Sequence, residues 1–168
     1  MTLHALILSA TMALVVPGGA QACQYLTSHF ELCDEGTPWA NGTWEQGGDS
    51  ATLHLDGVEY DSFEDYLGRD DAQLPEANLE YLMTHWAEDA KVANHANDTL
   101  PHPDMPVLRT INTITFAGDP PQLRVTMIAH AKGERILMML RAPGDMPVDQ
   151  IDQLSRDYAA LVRPRQEN

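Results

Sequence analysis

Apolar and polar residues alternate through Ala51-Thr52-Leu53-His54-Leu55, and Asp56-Gly57 is a strong turn signal ahead of Val58 and Tyr60. The pattern predicts a β-hairpin. Upstream, Phe30 and Leu32 mark a short strand, followed by a Gly36-Thr37-Pro38 turn that carries Trp39. Ser62 stands where it would cap a short helical turn running to Leu67, with Gly68 as its stop. From Pro75, a good first helical position, Leu79, Leu82, Met83, Trp86, Ala90 and Ala93 recur at helical spacing. This spacing predicts a long helix ending near Asn97, before the breaker-rich run Pro101 to Pro106.

The C-terminal part predicts strands and one more helix. Val107 to Phe116 is β-branched and Thr-rich, Leu123, Val125 and Met127 alternate with their neighbours, and Arg135 to Arg141 is nearly all apolar, as in a central strand. Lys132-Gly133 provides a tight hairpin between the last two, and Gly118-Asp119-Pro120-Pro121 a looser one between the first two. A helix from Pro147 to Val162 carries Ile151, Leu154, Tyr158, Leu161 and Val162 on one face, and Arg163-Pro164-Arg165 closes it. Apolar stripes on both helices need a partner surface, and a sheet supplies it. The fold class expected is α+β: an antiparallel β-sheet with a long central helix and a C-terminal helix packed on one face.

The chain has 168 residues, a length that suits one domain. Residues 1–22 are set apart as a signal peptide. Ala5 to Val16 is almost unbroken apolar sequence, too short to span ~30 Å of hydrocarbon. Pro17-Gly18-Gly19 breaks it, and Ala20-Gln21-Ala22 places small residues where signal peptidase reads. The only charge-bearing side chain of the n-region is His4. Cleavage between Ala22 and Cys23 leaves a single α+β domain over 23–168 and a periplasmic or secreted protein.

Cys23 and Cys33 are the only cysteines. In an exported chain they are expected to pair as a disulfide. A Cys directly after the cut also raises lipidation, but Ala20 stands where a lipobox wants Leu, and Gln21 does not fit. Membrane association is expected only if Cys23 is lipidated.

Charge narrows the partners. Ten Lys and Arg face 25 Asp and Glu, a net charge of −15. A phosphate-binding surface must supply cations, so nucleic acid is excluded as a partner. The imbalance is concentrated: residues 23–104 hold 18 acidic and 2 basic residues, whereas 105–168 hold 7 and 8. Such asymmetry marks either an interaction surface or a solvated acidic face.

Candidate chemistry is sparse. His95, Asp98, His102 and Asp104 form a weak set of metal ligands, because imidazole and carboxylate at this density suit a divalent transition ion. His95 and His102 are interrupted by Pro101, which matches no standard ligand spacing. Ser50 or Ser62 with His54 and Asp56 makes a hydrolase triad on paper, without a G-x-S-x-G elbow or an oxyanion loop. Glu64-Asp65 and Asp70-Asp71 read as solvated acids before they read as a glycosidase pair. Met138 and Met139 must point to opposite faces of a strand, so with Met105, Met127 and Met146 they read as core filler, not as a copper site. No catalytic residue, no cofactor and no partner-binding residue is assigned.

The order of elements resembles the PsbP and DcrB group of small exported α/β proteins. The match lies in Phe30-Glu31-Leu32 leading into Pro38-Trp39, in the helix from Pro75 to Asn97, in the hairpin around Lys132-Gly133-Glu134, and in the helix ending at Leu161-Val162. The resemblance implies a Trp-containing strand pair, a long helix, three antiparallel strands and a C-terminal helix. It also implies a protein that binds partners or assists assembly of envelope or photosynthetic complexes. The function expected is a non-enzymatic periplasmic accessory protein acting through another envelope protein. The alternatives are an acidic inhibitor or immunity protein that neutralises a basic partner and, more weakly, a divalent-metal-binding protein.

Overall fold

The computed structural model describes residues 23–64 and 90–166. Its larger sheet has seven antiparallel strands: β3 (Thr43–Gln46), β4 (Ser50–Leu55), β5 (Val58–Glu64), β6 (Ala90–Leu100), β7 (Val107–Phe116), β8 (Gln122–Ala131) and β9 (Glu134–Pro143). They lie side by side in the order β3-β4-β5-β9-β8-β7-β6. A second sheet of three short strands, in the order β1-β2-β10, comprises β1 (Cys23–Tyr25), β2 (Phe30–Cys33) and β10 (Val162–Pro164). One α-helix is found among the described residues, α1 (Val148–Leu161). It is too short to cross a membrane.

Period-two alternation sets the faces. Tyr60, Val125, Met127, Ile136, Met138 and Leu140 all point to the side of the sheet that α1 and the small sheet cover, and each is at most 1% exposed. Met127 and Met138 sit directly opposite each other across β8 and β9, filling core as expected. Burying one such side chain contributes about 1.5–3 kcal/mol. Tyr158 of α1 lands on this layer with its ring 5.0 Å from that of Tyr60, and Trp39, carried by a short 3-10 turn (Pro38–Asn41), closes over both. The Tyr158 hydroxyl shares a 3.0 Å hydrogen bond with the buried hydroxyl of Ser62.

Two of the hairpins follow from their turn residues. Asp56-Gly57 and Lys132-Gly133 both take positive φ, and two-residue loops of this hand match the twist of the strands they join.

Two expectations need correction. Ser62 does not cap a helix: with Val58 and Tyr60 it continues the alternation of β5 onto the core face. Ala90 and Ala93 are not on a helix either, because Ala90–Leu100 forms β6, paired with β7 along its whole length around a bulge between Asn94 and Ala96. Alanine satisfies a helical stripe without specifying one, while Val92, Asn94, Asn97, Asp98 and Thr99 are weak helix formers. Pairing with the Thr- and Ile-rich β7 decides the matter. Among the described residues the fold is therefore strand-dominated, with the C-terminal helix as its one α-helix, and the expected long helix does not extend through 90–97. The rest of the expected helix, with Leu79, Leu82, Met83 and Trp86, lies outside the described residues, as do the signal peptide, Asp65, Asp70 and Asp71.

Arg109 of β7 ties three elements together inside the core layer. Its side chain is 0% exposed. It donates to both carboxylate oxygens of Asp98 on β6 and to the Ser155 hydroxyl on α1, and it pairs with Asp152 at 2.7 Å. Hydrogen bonding from Arg156, reinforced by Arg109, holds the Asp152 carboxyl below its ordinary pKa.

Candidate functional site

Strands β5, β8 and β9 run the length of the sheet, and a different set of polar groups gathers at each end.

At one end, the β4–β5 hairpin, the β7–β8 loop and the β9–α1 connection enclose an open groove of about 770 Å³. Pro120, Pro121 and Pro143 give it apolar walls, and His54, Glu59 and Arg141 line its polar side. Gly144 is required here. Its amide donates to the Pro121 carbonyl at 3.0 Å, and a Cβ at this position would meet that same oxygen at 2.4 Å. The two loops that form the groove are thereby held together by backbone.

The arginine of the groove is already paired. Arg141 pairs with Glu59, directly opposite it in the ladder, and with Asp61, which is 3% exposed at its side chain. On the other side Arg141 faces Arg124 across β8, and burial together with this like charge lowers the Arg124 pKa. A row of polar residues thus crosses the second face of the sheet from His54 through Glu59, Arg141 and Arg124 to Asn112 and Asn94. Among the described residues, no Ser, Thr, Cys or Lys lines the groove.

At the other end, His29 lies just ahead of β2, Glu64 ends β5 and Glu134 begins β9. Glu64 is directly opposite Ile136, so Glu64 and Glu134 are diagonal neighbours on one face. The start of the small sheet brings the His29 ring over them. Its Nε2 is 3.2 Å from Oε1 of Glu64 and 4.0 Å from Oε2 of Glu134. Ser28 donates to the other oxygen of Glu64 at 2.9 Å.

The sequence-derived candidates fall elsewhere. Asp98 is engaged by Arg109, the His95 ring bonds the Thr113 hydroxyl at 2.7 Å, and His102 accepts the Asp104 amide at 3.1 Å. His95, Asp98, His102 and Asp104 do not converge on one point, whereas His29, Glu64 and Glu134 do. The paper triad is not assembled: Ser62 is buried on the core face with Tyr158 while His54 projects from the opposite face beside Glu45, and Ser50 stands four residues back along β4, ~13 Å from His54. Cys23 and Cys33 are bonded to each other, directly across β1 and β2. Glu64 was visible in the sequence only as half of an acidic pair with Asp65. His29 and Glu134 are so distant along the chain that no local signal joins them to it.

No protein-family model matches the chain, and no curated protein matches it in sequence. Solved structures do. The chain is similar to cyanobacterial PsbP (CyanoP) from Synechocystis sp. PCC 6803, with a TM-score of 0.58 and 11% identity over 93% of this chain and 100% of that one. It is also similar to PA94 of Pseudomonas aeruginosa, a protein of unknown function, with a TM-score of 0.52 and 7% identity over 75% of this chain and 99% of the other. The chain therefore has the PsbP-like fold of a small α/β protein, as its element order implied. At this identity the likeness concerns the fold.

Proposed function

We propose that the protein is an exported, non-enzymatic accessory protein that holds a segment of another envelope protein in the groove beside Arg141. The observation that carries this reading is the groove itself. It is preformed by the Gly144–Pro121 backbone contact, it is walled by prolines, its ion pairs are satisfied internally, and its volume is that of a binding site. An open, proline-walled trough whose arginine is already paired suits an extended polypeptide. The PsbP-like fold and the Cys23–Cys33 bridge support export and an accessory role by analogy. Purified protein is expected to leave ester, peptide and glycoside substrates unchanged while capturing a partner from envelope extract. Turnover of any of these substrates would overturn the reading.

The charge asymmetry favours one second reading, an inhibitor of a basic envelope enzyme. Residues 23–104 carry 18 acids against 2 bases, enough to steer a cationic target at salt-dependent rates. The capture experiment separates the two. A basic enzyme released by modest salt identifies the inhibitor, and salt-resistant retention identifies the groove.

A further inference from the structure

We infer that His29, Glu64 and Glu134 form a binding site for a single divalent transition cation, best suited to zinc, at the end of the sheet remote from the groove. The inference is independent of the partner-binding reading. One imidazole nitrogen and two carboxylate oxygens lie within 4.8 Å of one another. Such an N/O set without thiolate suits zinc. With bonds of about 2.0–2.1 Å, tetrahedral ligand atoms stand ~3.4 Å apart. The His29–Glu64 separation of 3.2 Å already meets this, and the 4.0 Å to Glu134 closes by a small rotation of a half-exposed side chain.

The surroundings support a ligand role. The three side chains come from separate elements, each fixed by its own ladder or turn, so the approach is not one of neighbours along a flexible loop. The His29 carbonyl accepts the Arg165 amide at 2.8 Å, and Phe30 beside it is fully buried, which anchors the histidine. Ser28 orients Glu64 through its second oxygen, an outer contact of the kind that positions metal ligands. An open cavity of about 340 Å³ borders His29 and Glu134 and leaves room for a water or other exogenous ligand in the fourth position. The cations on its rim are held by other groups: Lys132 donates to the Arg165 carbonyl, and Arg165 donates to the Ser28 carbonyl and stacks over the Tyr25 ring.

The test is calorimetric titration of chelator-stripped, untagged protein with zinc chloride, paired with melting temperatures. The wild type is expected to bind one zinc per chain and to melt at a higher temperature with the ion than without it. His29→Ala and Glu134→Gln should each weaken binding by at least about tenfold, and Ser28→Ala by about tenfold, with metal-free melting temperatures unchanged. Glu134 is half-exposed, so Glu134→Gln decides the matter if His29→Ala proves unstable. Three results overturn the site: no saturable heat, heat unchanged in Glu134→Gln, or heat lost in His95→Ala or His102→Ala instead.

Discussion

Asp98 on the edge strand and the fully buried Arg109 on β7 stand directly opposite each other in the ladder, joined by two parallel hydrogen bonds of 2.9 and 2.7 Å. Because the same guanidinium reaches Asp152 and Ser155 on α1, this pair fixes both the position of the edge strand and the seating of the helix. Arg109→Ala removes the cation, opens a cavity and leaves Ser155 only its bond to the Asp152 carbonyl, so it should destabilise the chain by about 3–5 kcal/mol. Arg109→Met keeps the volume, and Asp98 and Asp152 are exposed enough to be hydrated and still have Arg156 beside them. Its cost should be clearly smaller. Urea denaturation of the two variants measures both, and equal losses would refute the packing described.

The packed pair Tyr60 and Tyr158 sets the alkaline limit of stability. Burial pushes the Tyr60 hydroxyl up to about 12 and that of Tyr158 higher still. A phenol whose folded pKa is raised stabilises the fold fully below the unfolded value near 10, and this stability is lost as pH rises through the folded pKa. Unfolding should therefore set in above about pH 10, with both phenols ionising together in one cooperative step in ultraviolet absorbance. Independent titration of Tyr60 near the ordinary value, with the fold intact, would contradict the burial.

The Cys23–Cys33 bridge closes a loop of sequence separation 10, for which chain entropy gives about 2–3 kcal/mol. Protein recovered from its native compartment should be two hydrogens lighter than the reduced form, and Cys33→Ser should lower the denaturant midpoint without changing the overall fold. A diacylglyceryl group on Cys23 would remove the bridge and place the chain on a membrane.

Local pattern made much of this fold legible. Strict alternation through Ala51–Leu55 and Leu123–Met127, the apolar run before Arg141, and the turn pairs at Gly57 and Gly133 each correspond to the element they predicted. β6 escaped because its residues have little preference of their own. Ala90 and Ala93 fit a helix as readily as a strand, and the deciding partner, β7, lies beyond a proline-rich turn. The candidate sites were less legible for a related reason. Asp98 stood out beside two histidines, yet its charge belongs to Arg109, whose partners only the tertiary fold reveals. His29 and Glu134 meet because a short second sheet folds back over the end of the first, a juxtaposition no spacing encodes.

Occupation of the groove beside Arg141 by a protein partner can be read by site-specific photocrosslinking in the native envelope. A benzophenone amino acid replaces Gln122 on the groove wall in one variant and Gln153, exposed on α1 away from the groove, in another. One discrete protein adduct is expected from position 122 and none from position 153, with the adduct lost when Gly144→Ala is added to disrupt the groove. No adduct from position 122, or the same adducts from both positions, would contradict it.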